Sequence, residues 1–142
     1  MLKSIGGFLI FSVLNLTSYS VFSSSFQHVA LTKTVTNISQ HSESSTLVDA
    51  KPGDIIEYNI YITNSSSYAI SNINIFASVP RFTTLVTTIN CNDGYLPSAL
   101  NCQILTPNGF NRSGYQGEIT WQLLGKLEAG ITAQVSYQVT IK

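Results

Sequence analysis

Residues 131–141 alternate without a break, Ile131, Ala133, Val135, Tyr137, Val139 and Ile141 on one parity and Thr132, Gln134, Ser136, Gln138 and Thr140 on the other. A period of two is the repeat of a strand with one buried face; a helix would bring its apolar residues back every three or four positions. The same pattern sets Ile56, Tyr58, Ile60 and Ile62 against Glu57, Asn59 and Tyr61, and it recurs at Ile73, Ile75, Ala77 and Val79. Pro80 ends that strand or marks its edge. Val29, Leu31 and Val35 alternate with Ala30, Thr32 and Thr34, and Ile119, Trp121 and Leu123 point inward from a further strand. Leu85, Thr87 and Ile89 are expected to continue as another.

Turn chemistry separates these runs. Asn37 to Ser45 is a polar loop leading to Leu47 and Val48, Lys51-Pro52-Gly53-Asp54 is a turn in which Pro presets φ and Gly accepts a positive one, and Asn64 to Ser67 is a polar turn. Residues 90–117 carry Gly94, Pro97, Pro107, Gly109, Gly114 and Gly117, which no helix would survive, and they are expected to form a long excursion outside the core. The region from Gly125 to Gly130 reads as a turn around Leu127. These elements predict an all-β fold, an immunoglobulin-like antiparallel β-sandwich of about seven strands over residues 29–142, with a barrel as the lesser alternative. A chain of 142 residues supports one core of this kind.

The first residues obey a different rule. Lys3 is a positive n-region, Ile5 to Leu16 an apolar stretch, and Thr17 to Ser25 a run of small residues, the order of a secretory signal peptide. Residues 1–22 are expected to be removed, with cleavage after Ser20 or Ser23, leaving 23–28 as a flexible arm. An apolar stretch broken by Ser12 and Asn15 falls short of the roughly 20 residues that span a bilayer, and no later run replaces it. Without Lys3, six positive groups face seven negative ones, a net charge of −1. Charged residues make up only 10% of the chain, so nucleic acid finds no basic field and self-association meets little repulsion. The protein is expected to be exported, to the periplasm, the cell surface or the medium.

Export places Cys91 and Cys102 where thiols oxidise, eleven positions apart in a loop-rich region, and a disulfide between them is the simple reading. A metal site or a catalytic thiol lacks partners, since no CxxC pair occurs and His28 and His41 are remote in sequence. Closing that loop adds about 3 kcal/mol in the chain-entropy model.

Leu31-Thr32-Lys33-Thr34-Val35, Pro52-Gly53-Asp54 followed by Tyr58, Ile60, Ile62, Thr63 and Asn64, Val79-Pro80, and Trp121, Leu127, Gly130 with the alternation from Val135 to Ile141 form an ordered series. In order and spacing this series resembles the conserved-repeat β-sandwich domain of bacterial and archaeal surface proteins, domain of unknown function eleven, over residues 29–142. The resemblance implies a β-sandwich and a surface compartment and assigns no catalytic residues. The chain departs from it in three places: Ala77 stands where the family usually has an aspartate, Asn64-Ser65-Ser66 replaces an Asn-x-Gly turn, and the excursion at 90–117 is longer than the usual connection.

Candidate chemistry is sparse. No histidine lies in a nucleophile motif, and the protein is not expected to be an enzyme. Asp49, Asp54 and Glu57 are close enough in sequence to join carbonyls around Ca²⁺, but a turn Asp and a polar-face Glu explain them better, so no cofactor is expected. Asn90-Cys91-Asn92-Asp93-Gly94 has the look of an acidic calcium loop with Asn101 at the position that needs a glutamate, and reads as a turn. Asn37, Asn64 and Asn111 each open a glycosylation-type triplet, a pattern common by chance in an Asn- and Ser-rich chain. Tyr95, Phe110 and Tyr115 in the excursion are candidate contacts for a glycan or partner, or pack as a satellite cluster.

The expected function is a secreted structural or adhesive interaction module with a protein partner or a second copy of itself. Strand addition is its expected mode, with Phe22, Phe26 and Val29 as anchors and the uncharged closing strand as an acceptor if it lies at an edge. A glycan-binding module using the loop aromatics is the alternative, and a secreted enzyme or inhibitor with an unrecognised site is a second.

Overall fold

Burying the alternating apolar parities requires two sheets facing each other, and the computed structural model, which describes residues 28–91 and 95–142, has that form. Seven strands run as β1 (Val29–Asn37), β2 (Ile55–Asn64), β3 (Ile70–Val79), β4 (Thr83–Leu85), β5 (Leu100–Leu105), β6 (Gly117–Leu127) and β7 (Thr132–Ile141). Sheet A has the order β1-β2-β7-β4 and sheet B the order β3-β6-β5, all antiparallel. No helix occurs among the described residues. The all-β sandwich is therefore as expected. Compared with an immunoglobulin constant-type domain, whose order is 1-2-5-4 over 3-6-7, the fifth and seventh strands exchange places.

The expected inward parities of β2, β3, β6 and β7 are the buried ones, with Trp121, Tyr58, Ile56, Ile60, Ile62, Ile75 and Val139 among the largest side chains that are wholly enclosed. Ile131 is the exception: it is exposed because it belongs to the turn before β7, where its amide donates to the Glu128 carbonyl. Tyr137 stacks on Tyr58 with ring centroids 5.0 Å apart and meets Trp121 at 5.5 Å. Two buried asparagines tie the ends of the sandwich. Asn37 donates to the Asp54 carboxylate at 2.9 Å and to the Asp49 carbonyl at 2.9 Å. Asn64 donates to the carbonyls of Tyr68 and Leu127 and accepts from the amide and hydroxyl of Ser66. Asn111 closes a third site, donating to the carbonyl of Ile89 and accepting from its amide. The three triplet asparagines are hydrogen-bond hubs of the fold.

Several local expectations change. The excursion is not wholly irregular: Leu100–Leu105 forms β5 and pairs with β6 from Gly125 to Thr120. Nor is it outside the core, because Leu100, Cys91, Cys102 and Tyr115 are buried members of it. The expected Cys91–Cys102 disulfide is present, with Cα atoms 5.7 Å apart, and it joins the incoming loop to β5. Its reason for being buried is that β5 completes sheet B, so the sulfur lies on a sheet instead of across a surface loop. Leu85 ends β4 and Ile89 lies beyond it, since Asn111 takes the hydrogen bonds a strand would have used there. Leu47 and Val48 form no strand; only Ser45 pairs, with Val35. Gly125 and Leu127 belong to β6, which passes through the expected turn. Gly125 has φ +109 and faces the Ala99 carbonyl, where a Cβ would collide with it.

The closing strand is covered at its C-terminal end and is an edge only over its first half, Thr132 to Ser136. β7 lies between β2 and β4, because Thr83–Leu85 pairs with Ile141–Val139 and Val86 donates to the Gln138 carbonyl at 2.9 Å. Val29 is likewise committed within β1, buried and paired with Asn64, and so cannot serve as a free anchor. Phe22 and Phe26, the signal segment and its cleavage sites lie outside the described residues, as do Asn92, Asp93 and Gly94.

Candidate functional site

The outward parities of β2 and β7 come side by side through their register, Glu57 opposite Gln138, Asn59 opposite Ser136 and Tyr61 opposite Gln134. Four of these side chains form one hydrogen-bonded file. Gln138 donates to one Glu57 carboxylate oxygen at 2.9 Å, Asn59 to the other at 3.2 Å, and Gln134 to the Asn59 carbonyl oxygen at 2.9 Å. The file floors a groove of about 460 Å³, walled by Thr87, Thr88, Ile89, Asn90 and Tyr95 where the chain leaves β4. Among the described residues of this lining Glu57 is the one ionisable carboxyl, and no cationic side chain contributes.

The aromatic trio expected from the excursion does not converge. Tyr95 is exposed and walls this groove. Phe110 borders a separate depression with Arg112, whose guanidinium sits 4.5 Å from the Phe110 ring centroid. Tyr115 is buried, and its hydroxyl donates to the Glu118 carbonyl at 2.8 Å. Burial, with the Glu118 charge adding to it, raises the Tyr115 pKa. Tyr115 is a core residue and not a contact residue. The file of amides went unread in the sequence because nothing short of the β2/β7 register reveals that Glu57 meets Gln138.

The acidic residues near the first turn serve the fold. Asp54 is buried, and one of its carboxylate oxygens accepts from Asn37, Gln40 and the Lys51 amide at 2.9, 2.7 and 3.1 Å. Burial pushes its pKa up, but those hydrogen bonds and the Lys51 charge outweigh it and hold the carboxyl below its ordinary value. Asp49 is exposed and Glu57 belongs to the groove, and no group of three metal-ligating side chains forms among the described residues.

The sheet edges differ in how they are closed. On β1, Lys33 points inward and Val35 exchanges two main-chain hydrogen bonds with Ser45, both devices that discourage pairing with another chain. On β4, Leu85 exchanges bonds with Tyr115 and Gly114, and Gln116 donates to the carbonyls of Arg81 and Thr83. β5 is short and tethered through Cys102. β3 is long, carries no charged residue, and has a bulge only at its start, where Asn72 has φ 58. From Ile73 to Ala77 its main chain makes no hydrogen bond to a described residue outside sheet B, and beyond that the Tyr137 hydroxyl donates to the Ser78 carbonyl at 3.1 Å. Phe76, half exposed at 49%, stands in one rung with Thr120 and the exposed Leu105.

No family model matches the chain. No curated protein matches it either. Among solved structures it is similar to a GH20 exo-β-N-acetylglucosaminidase from Vibrio harveyi in complex with N-acetylglucosamine, at 10% identity and TM-score 0.38, covering 80% of this chain and spanning only 13% of that one. It is also similar to the CBM3b of the scaffoldin ScaA from Acetivibrio cellulolyticus, at 14% identity and TM-score 0.36 over 79% of this chain and 71% of that one. A family 3a carbohydrate binding module from the cipA scaffolding of Clostridium thermocellum matches at 14% identity and TM-score 0.32, covering 80% and 76%.

Proposed function

We propose that this protein is an exported structural and adhesive interaction module of the conserved-repeat β-sandwich type, without catalytic activity, that joins a neighbouring copy by strand addition along β3. The supporting observation is the contrast between edges: β1, β4 and β5 are guarded, shielded or short, and β7 is open only from Thr132 to Ser136 beside the chain that leaves β4, while β3 offers uncharged main chain from Ile73 to Ala77 along its whole free side. Unpaired N–H and C=O groups in that array are matched best by another extended chain. With cleavage after Ser20, residues 21–27 of a second copy are the donor, since Phe22, Ser24 and Phe26 alternate and a phenylalanine beside Phe76 would extend the apolar rung through Thr120 to Leu105. Export is supported by the leading segment and the disulfide.

Light scattering on mature protein, with and without residues 21–27, tests this. Concentration-dependent association that is lost on deletion and lost in Phe76→Lys is expected, because a lysine on a free edge is a natural barrier to pairing. A strictly monomeric intact chain would reject the assembly. Association that survives the deletion and disappears only in Phe76→Lys would replace the arm by β3 of the second copy as donor.

A further inference from the structure

The groove over sheet A presents side chains from the middle of a sheet, since β2 is paired on both sides by β1 and β7. β7 is paired on its far side by β4 only over Val139–Ile141, so the main chain of Thr132 to Ser136 lies at one margin of the groove, but the floor itself is built of side chains and recognition on it runs through them. In the file Gln138–Glu57–Asn59–Gln134 both Glu57 oxygens accept amide protons, which leaves the side-chain amide oxygens of Gln134 and Gln138 and the hydroxyl of Ser136 without protein partners among the described residues. Thr87 and Thr88 add hydroxyls from the wall, and Tyr95 adds a ring that is 56% exposed.

That inventory selects a ligand by exclusion and by fit. A phosphate or carboxylate would meet the Glu57 charge and find no cation in the lining. A purely apolar ligand would strip water from amides and hydroxyls with nothing to replace it. A polyhydroxyl compound donates and accepts at every hydroxyl, as amide and hydroxyl side chains require, and the C–H face of a sugar ring packs on an exposed phenol. The volume falls within the range of roughly 300–1,000 Å³ usual for small-ligand clefts. The floor is held in place by its own hydrogen bonds and by strand pairing, so little ordering is needed on binding.

We infer that the groove between Tyr95 and the Glu57–Gln138 file binds a neutral glycan chain. The site is separate from the β3 edge, which belongs to sheet B, and is independent of strand addition there.

Affinity electrophoresis of the mature protein in native gels containing dextran, mannan, mixed-linkage β-glucan or, as the charged comparison, polygalacturonate tests the site. Retardation by at least one neutral polymer and none by polygalacturonate is expected. Tyr95→Ala and the pair Gln134→Ala with Gln138→Ala should each weaken it about tenfold or more, equivalent to about 1.4 kcal/mol, while Phe110→Ala changes nothing. Absence of retardation by every neutral polymer, retardation that survives both groove variants, or preference for polygalacturonate would overturn the inference. Thermal melts of the variants confirm that each is folded, and scattering from the same samples keeps loss of glycan binding distinct from loss of assembly.

Discussion

The Nζ of Lys33 stands 4.6 Å from the centroid of the Tyr58 ring, and 5.9 Å from that of Tyr137, inside the sandwich with no hydrogen-bond partner. The two ring faces are its only compensation for lost water among the described residues, and they offset about 2 kcal/mol at best. Burial accordingly lowers its pKa from 10.5 to about 8. The position on β1 explains why such a cost is tolerated: an inward charge on an edge strand discourages that edge from pairing with another chain.

A pH dependence follows. The folded protein releases the Lys33 proton near pH 8 while the unfolded chain holds it to about 10.5, so the unfolded state binds more protons between these values and stability rises with pH across that window. At ~1.4 kcal/mol per pKa unit the full gain is roughly 3 kcal/mol, and urea melts from pH 7 to 10 should show most of it. In Lys33→Met the rise should vanish and the midpoint at pH 7 should increase, with faster aggregation as the edge loses its guard. A flat wild-type profile would show that the ammonium is better solvated than its burial implies.

Removing the disulfide should now have consequences beyond the excursion. With Cys91 and Cys102 both in the core and Cys102 within β5, the double serine variant is expected to lose about 3 kcal/mol from chain entropy, and to bury two new hydroxyls as well. Hydrogen exchange should show the amides of Leu100 to Leu105 opening first. Unchanged protection there would mean that β5 is held by β6 alone.

Asn64→Ala takes the side-chain donor from the Leu127 carbonyl and the acceptor from the Ser66 amide, while the Tyr68 carbonyl keeps the Ser66 hydroxyl as donor. At about 1–3 kcal/mol for a buried group left unsatisfied, the Leu127 carbonyl and the Ser66 amide together make a loss of roughly 2–4 kcal/mol the expected result in chemical denaturation. Asn64→Asp should be no better, since its carboxylate would face two carbonyl oxygens.

Asp54 sets the acid limb. Its folded pKa lies below its ordinary value of 3.8, so its contribution is complete above that value and is lost as pH falls through the folded one. Asp54→Ala should destabilise the protein at pH 7 and flatten the loss between pH 4 and pH 2. An acid limb as steep as wild type in that variant would assign acid unfolding to other carboxylates.

Period-two alternation was enough to read the inward faces of β2, β3, β6 and β7, because the pleat alone sends successive side chains to opposite sides. Spacing and compartment were enough to pair Cys91 with Cys102. What the sequence did not contain was neighbourhood. Nothing local shows that β7 sits between β2 and β4, that Leu100–Leu105 is a strand of sheet B, or that Tyr115 turns inward while Tyr95 stays out. Lys33 shares the parity of Val29, Leu31 and Val35, yet its inward position becomes certain only when Tyr58 and Tyr137 are seen beneath it. Side-chain parity is a property of one strand and is written in consecutive residues. Strand order, edge exposure and the Glu57–Gln138 file depend on pairings between residues as distant in sequence as Ile55 and Thr140, and those were decided only when both sheets closed on a single core.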